Sequence, residues 1–366
     1  MAKAKKIFIA ATRQDDGKTT VSLGLFQAMQ RRYKSLAYMK PVGQQYVLVD
    51  DEKIDKDAYL FYKSFGLDNF HLKDMSPIAV PRGFTRDYIN KPNKKQLETK
   101  ITEAYARLSN KQEFILFEGT GHAGVGSVFD LSNARVAELL KTKVIIVSIG
   151  GIGKSIDELM LNITLFKNLG VEIAGVIINK VYPKKLDEIK TVVSKGLSRF
   201  KVPLLGTIPL MKQLTYPSVA AIIEELKPKV LSGKKGLNNC VEKFIIGDMS
   251  PHFALDRFSK NTLMIVPGNR EGLILTGLCE NMLRTTGPRM VSGIIFTNGI
   301  KPHPKILELL SKTRIPLLLV KEDAFTVATE INTMIFKIRS EDLHKITLAA
   351  DIIEEHVDVD TICNSI

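Results

Sequence analysis

Short runs of consecutive apolar residues alternate with amphipathic stretches of helical length through the first part of the chain. The runs fall at 7–10, 36–39, 114–117, 144–147, 176–178 and 204–208. None alternates apolar with polar, as a strand with one wet face would, so they predict parallel strands buried on both faces. Between them the spacing predicts helices over 18–32, 95–109, 132–141, 156–169 and 184–198, with Ser132 and Ser155 as N-caps. Strand then helix, repeated, gives an α/β fold: a mostly parallel sheet flanked by helices. Such sheets take ligands beyond the carboxyl ends of their strands, so candidate chemistry belongs in the segment after each run.

After Pro209 the rhythm breaks. A helix over 218–226 leads into Lys227-Pro228-Lys229 and Ser232-Gly233-Lys234-Lys235-Gly236, punctuation that reads as a linker or turn. A boundary is expected near residue 213, dividing the chain into domains 1–212 and 213–366. Beyond it, strands at 244–246, 263–266, 293–297 and 316–320 alternate with helices at 271–284, 304–311, 324–336 and 341–354. This predicts a second, smaller α/β domain.

At 366 residues the chain has length for about two domains at ~150 residues each. With 45% hydrophobic and 25% charged residues it is too apolar for extensive disorder. No apolar run approaches the ~18 residues of a membrane helix, and the run near the N-terminus meets Arg13, Asp15 and Asp16 too soon to be a signal core, so a cytoplasmic protein without membrane contact is expected. Cys240, Cys279 and Cys363 lie far apart and form no CxxC pair, which excludes a disulfide framework or zinc site and agrees with a reducing compartment. The net charge of +13 raises the question of a polyanionic partner. The basic residues come as scattered pairs (Arg31-Arg32, Lys94-Lys95, Lys184-Lys185, Lys234-Lys235) without an aromatic RNA-binding signature or a DNA-reading helix, so nucleic acid is the disfavoured reading and a solvated surface the favoured one.

The first strand runs into Ala11-Thr12-Arg13-Gln14-Asp15-Asp16-Gly17-Lys18-Thr19-Thr20 and then a helix, the context a phosphate-binding loop requires. Backbone N–H groups of residues 12–20 can encircle an anion, Lys18 supplies a point charge, and the Thr19 hydroxyl can join a magnesium shell. The opening glycine of GxxxxGK[ST] falls at Thr12, so the strict motif is not met. A rival, Gly150-Gly151-Ile152-Gly153-Lys154-Ser155, follows another buried strand, and spacing alone divides the two almost evenly. Residues at the ends of neighbouring strands favour the first loop. Lys40 ends the second strand, placed either to steady a transferring phosphoryl group or simply to face solvent. Glu118 ends the third, where a carboxylate needs a counter-charge: it reads as a ligand to a divalent cation beside a triphosphate ahead of a purely structural acid. Asp57 lies on a stretch that reads as exposed, as good a surface acid as a ligand. Asn179 can read a base edge or close a turn. The glycine-rich 119–127 segment reads as a mobile substrate loop rather than a series of tight turns, and His122 within it as a surface histidine. No Ser/His/Asp order, paired-acid hydrolase pattern or HExxH is present.

These residues in this order (11–19, Lys40-Pro41-Val42, Asp57-Ala58, Glu118-Gly119, Asn179, 204–209) resemble dethiobiotin synthetase and its P-loop relatives over about residues 5 to 212. That resemblance implies Mg-ATP binding and phosphorylation of a carbamate. It places Lys18 on the phosphates, Thr19, Asp57 and Glu118 around Mg²⁺, Lys40 near the transferring group, Asp15 at a catalytic-loop glutamate's position, and Asn179 on adenine. It also implies a homodimer, with the 150–155 or 119–127 loop near the seam. Ala11 replaces the family's first glycine and Gln44 a substrate-contacting serine, departures that touch the diamine half of the site more than the nucleotide half. Residues 213–366 resemble the DRTGG domain, with Gly268-Asn269-Arg270-Glu271-Gly272 at the name-giving segment and Asn269 for its aspartate. The two together resemble the N-terminal, non-catalytic half of long phosphotransacetylases, without the acyl-transferring domain. The expectation is an ATP- and Mg²⁺-binding sensor or regulator whose second domain takes a metabolite or protein partner, and no phosphotransacetylase activity. An ATP-dependent ligase that activates a carboxylate or carbamate is the alternative, and a nucleic-acid-binding protein the second one.

Overall fold

The computed structural model describes residues 4–283, 290–334 and 336–366. Two units are distinguished: residues up to Met211 together with Ile338–Ile366, and Lys212–Lys337.

The first unit is built on six parallel strands in the spatial order Leu204–Pro209, Ile173–Val181, Lys143–Ile149, Lys5–Ala11, Phe114–Glu118 and Leu36–Met39. Every residue of Phe114–Glu118 and of Leu36–Met39 is buried, which is why these segments read as unbroken apolar runs. Helices Lys18–Gln30, Lys94–Leu108, Asn133–Leu139, Gly153–Asn168 and Leu186–Ser198 fall at the expected places. From Lys5–Ala11 the chain first runs to Leu36–Met39 on one side and later builds Lys143–Ile149 and the strands beyond it on the other, and open α/β sheets bind ligands at the carboxyl end of such a switch. Ser132 caps its helix, its Oγ accepting from Arg135 N at 3.1 Å. Ser155 does not cap: the helix begins at Gly153, and the Ser155 hydroxyl donates to Ile149 O at 2.8 Å.

Two expectations are corrected in this unit. The stretch around Asp57 is not exposed: a hairpin (Tyr46–Val49 with Glu52–Asp55) leads into helix Lys56–Ser64, which buries Asp57, Ala58, Leu60 and Phe61. Its half-buried strands lack the apolar run by which the buried strands announce themselves. The second domain also does not extend to residue 366. Helix Leu343–His356 carries Ile346, Ala349, Ala350 and Ile353 on one face and packs on helix Lys18–Gln30, where a Cβ on Gly24 would collide with the Ala349 carbonyl. Asp358 N then donates to Leu205 O at 2.8 Å. An amphipathic stripe reveals that a helix covers something; it does not reveal which sheet.

The second unit has five strands in the order Lys229–Ser232, Leu317–Leu319, Val291–Thr297, Thr262–Pro267 and Lys243–Ile246. The last four are mutually parallel, and Lys229–Ser232 runs antiparallel along the edge. Sequence punctuation hid that strand, because an edge strand tolerates a preceding Pro228 and polar residues. Leu273, Ile274, Leu278 and Leu310 belong to one core layer, and Val219, Ile222, Val327 and Ile331 to another. Helix Glu271–Leu283 matches its expectation; Arg284 lies outside the described residues, as does Ile335 in the expected 324–336 helix, observed as Ala324–Thr333. Among the described residues no helix is long and apolar enough to cross a membrane, and the three cysteines are free.

Candidate functional site

The turn after the first strand is held in shape by its own side chains and by a neighbouring strand end. Asp16 is buried, and its Oδ2 accepts from the Thr12 hydroxyl at 2.7 Å and from Arg13 N at 2.8 Å. Thr12 Oγ1 also meets Ser148 Oγ at 3.0 Å. Burial lifts the Asp16 carboxyl above the usual carboxylate range, against the pull of those two bonds and of Lys18. Asp15 and Gly17 both adopt left-handed backbone, with φ of 63° and 94°. Asn179 Nδ2 donates to Asp16 O at 2.9 Å, and Lys180 Nζ to Asp15 O at 2.6 Å. A Cβ on Gly17 would collide with Asn179 Nδ2, so glycine is required there for space as well as conformation. Gln14 is exposed and Thr20 half-buried, while Lys18 is buried at the start of the helix. Arg13 reaches away to Glu158 of helix Gly153–Asn168 and forms an ion pair with it.

A second group of side chains closes beside the first turn of helix Lys18–Gln30. Thr19 Oγ1 donates to Glu118 Oε1 at 2.9 Å. Lys40 Nζ donates to the same oxygen at 2.9 Å and to Asp57 Oδ2 at 2.7 Å. Tyr38 OH donates to Glu118 Oε2 at 3.2 Å. Lys40 is 3% exposed, Asp57 5% and Glu118 0%, so the strand-end lysine that sequence allowed to face solvent is a core residue. Burial alone would lower its pKa, but the charges of Asp57, Glu118 and Asp55 together hold the ammonium well above the ordinary lysine value. Burial, and then the Glu118 charge, push the Tyr38 hydroxyl well above its normal value and keep it a donor. Asp55, which sequence reasoning missed, caps helix Lys56–Ser64 by accepting from Asp57 N at 2.8 Å and is itself 3% exposed. The Asp-x-Asp spacing ahead of a helix was the available signal.

Thr19, Lys40, Asp57 and Glu118 thus meet in one cluster, and Asn179 meets the loop through Asp16. Asp15 is half-buried and meets Lys180 through its carbonyl rather than its carboxylate. Among the described residues no three His, Cys, Asp or Glu side chains gather as a ready metal site. A hydroxyl with two carboxylates is nevertheless an all-oxygen partial set of the kind magnesium uses when phosphates and water complete its shell, and the acids outnumber the ammonium they share.

The 119–127 segment is a bonded turn series rather than a mobile loop. Asn133 accepts from Thr120 N and donates to the carbonyls of Thr120 and His122, and Thr120 Oγ1 donates to Val42 O at 2.6 Å. His122 is exposed, as expected. In the rival loop, Gly150 N donates to Asn179 O at 2.8 Å, Gly151 has a φ of 151°, and no buried acid gathers there. In the second unit, Gly268-Asn269-Arg270 follows strand Thr262–Pro267. Gly268 N donates to Ile300 O at 3.1 Å, Arg270 to the carbonyls of Asp248 and Met249, and Glu271 accepts from His303 N at 2.8 Å. The segment ties neighbouring loops together.

Residues 5–218 match the AAA domain family AAA_26, and residues 221–334 the DRTGG domain. The chain is 27% identical over 365 residues to a phosphate acetyltransferase of Nitratidesulfovibrio vulgaris, covering 97% of this chain and 51% of that protein. With the phosphate acetyltransferase of Synechocystis it shares 25% over 370 residues, 98% of this chain and 51% of the relative. The chain therefore spans about half the length of these curated relatives. An ATP-dependent dethiobiotin synthetase BioD of Clostridium kluyveri is 28% identical over 226 residues, 60% of this chain and 91% of the synthetase. Among solved structures, the MinD cell division protein of Aquifex aeolicus is a distant likeness at 16% identity and a TM-score of 0.37, covering 58% of this chain and 84% of that one. By the match of more than half its length, the chain belongs to the AAA domain family AAA_26, with a DRTGG domain following it.

Proposed function

We propose that the protein binds Mg-ATP at the carboxyl edge of the first unit and acts as a sensor or regulator, with the DRTGG domain taking a metabolite or protein partner. The observation that carries this reading is the continuous contact from Thr19, beside Lys18 at the start of the helix, through Glu118 to Lys40 and Asp57. In this reading the loop N–H groups and Lys18 hold the phosphates, and Thr19, Asp57 and Glu118 hold magnesium. Bound magnesium offsets phosphate charge, leaving Lys40 to face whatever group lies beyond the terminal phosphate. The sensor role is supported by the match of nearly the whole chain to about half the length of phosphate acetyltransferases, together with a second unit whose carboxyl edge collects no buried charged side chain among the described residues. Coupling requires that a ligand of one unit favour one of two conformations of the protein.

Titration calorimetry with ATP and Mg²⁺ tests the first step. Wild type should bind and Lys18→Ala should not; equal heats from both would end the Lys18 assignment. The ligase reading is favoured by Lys40, a buried ammonium beside the loop, and by the match to 91% of a dethiobiotin synthetase. ADP release screened against carboxylates, bicarbonate and diamines separates the two readings, because a sensor turns over slowly whatever acceptor is added. A homodimer and a cytoplasmic location complete the proposal, and sedimentation velocity tests the former.

A further inference from the structure

The phosphate loop lacks the opening glycine that usually lets such a turn form, and it places an aspartate, Asp15, in left-handed backbone. Aspartate is among the few residues with a Cβ that visit this conformation, at a small cost that contacts from outside the loop can offset. The end of strand Ile173–Val181 does so with two consecutive residues. Lys180 Nζ takes the Asp15 carbonyl at 2.6 Å and Asn179 Nδ2 the Asp16 carbonyl at 2.9 Å. In a trans peptide the carbonyl and the following N–H point in opposite directions. Drawing the carbonyls of residues 15 and 16 toward the strand therefore turns the N–H groups of Asp16 and Gly17 the other way, the orientation that an anion-cradling turn needs. Lys180 is itself in left-handed backbone, with a φ of 56°, and Asn179 Oδ1 accepts from its N–H at 2.9 Å. Both partners are thus shaped for this contact.

We propose that Lys180, with Asn179, is a positioning residue that holds the 15–17 turn in its anion-cradling form, its ammonium spent on the Asp15 carbonyl rather than on nucleotide phosphate. The inference rests on the nucleotide reading above and adds to it a residue and a role. It gives Asn179 a task independent of base recognition, since both heads of its amide are engaged with backbone.

The test is a four-protein cycle of Mg-ATP titrations: wild type, Lys180→Met, Asp15→Gly and the double variant. Lys180→Met keeps the apolar stem of an exposed side chain and removes the ammonium, and it should weaken Mg-ATP binding about tenfold, the scale of one lost charge-assisted hydrogen bond. Glycine adopts left-handed backbone unaided, so in the Asp15→Gly background the same change should cost less than about twofold. A Lys180→Met protein that binds as wild type does would overturn the proposal. So would an undiminished loss in the glycine background, which would mean that the lysine acts by its charge on the nucleotide. Wild type that binds no ATP would instead sink the nucleotide reading and this inference with it. Lys180→Arg, which retains a cation able to reach a carbonyl, should recover most of the affinity.

Discussion

The two units carry parallel or mostly parallel sheets but use their carboxyl edges differently. The first buries Asp16, Lys18, Lys40, Asp55, Asp57 and Glu118 at or near that edge, whereas the buried polar residues described in the second are Ser218, Thr262, Ser292 and Thr297, all uncharged. The first edge keeps left-handed residues in a turn held from outside; the second closes its loops on one another through Gly268 and Glu271. Burying charge costs free energy that folding alone does not require, so the concentration of charge at one edge is what supports the proposed ligand site there. The same α/β architecture in the other unit is tied off by bonds from Gly268, Arg270 and Glu271 to backbone groups of neighbouring loops. Fold alone does not distinguish them; the side chains at the strand tips do.

This contrast can be broken most severely by cutting the chain. Ending it after Lys212 removes helix Leu343–His356 and uncovers the Gly24 face of the phosphate-loop helix, and the fragment should lose its cooperative melt. Excising Lys212–Lys337 and bridging the ends with a flexible linker should leave the first unit folded. Circular dichroism melts compare the two, and a well-folded 1–212 fragment would refute the placement of the C-terminal helices. Next in size, Lys40→Met leaves two buried carboxylates without the ammonium they share, and should cost about 3–5 kcal/mol in urea unfolding. Magnesium should restore part of that loss, whereas Arg270→Met at the second unit's edge should stay within ~0.5 kcal/mol and ignore magnesium.

Smaller effects sharpen the picture. Gly24→Ala forces a methyl against the Ala349 carbonyl and should cost about 1–3 kcal/mol. Gly153→Ala meets open space at the start of its helix and should be neutral or slightly stabilising by thermal melt. The smallest effect concerns Asp16. Its folded carboxyl titrates above the ordinary value, so between the two the native state holds more protons than the unfolded chain, and stability falls as pH rises through that window. In Asp16→Asn the side-chain carbonyl can still accept from Thr12 and Arg13, and no charge is buried. Its stability should be flatter with pH across the same window, measured by urea melts at several pH values. A matching slope in both proteins would contradict the burial argument.

Much of this was legible in sequence because burial on both faces leaves an unmistakable apolar run, and the six strands of the first sheet, with the loop after Ala11 and the acid after Phe117, were placed that way. Asp57 was recognisable only through family resemblance, because the hairpin and short helices around it lack any long period. For Lys40 the pattern alone left a site role and a solvent-facing one both open, because a one-dimensional pattern cannot show that Asp57 and Glu118 converge on it. The tail at 338–366 was assigned to the wrong sheet for the same reason: the Gly24–Ala349 contact that fixes it joins residues more than three hundred positions apart. Lys180 escaped notice because its partner is a backbone carbonyl, which carries no residue-specific signal.

The central claim is that the phosphates of ATP sit in the turn ahead of the first helix. A crystal structure with a non-hydrolysable ATP analogue and magnesium tests it most directly. The account predicts phosphate oxygens against the N–H groups of residues 15–19 and Lys18 Nζ, with magnesium beside Thr19, Asp57 and Glu118. Phosphates seated instead on Gly150–Ser155, or a loop closed against the analogue with those acids still bound to Lys40, would contradict it.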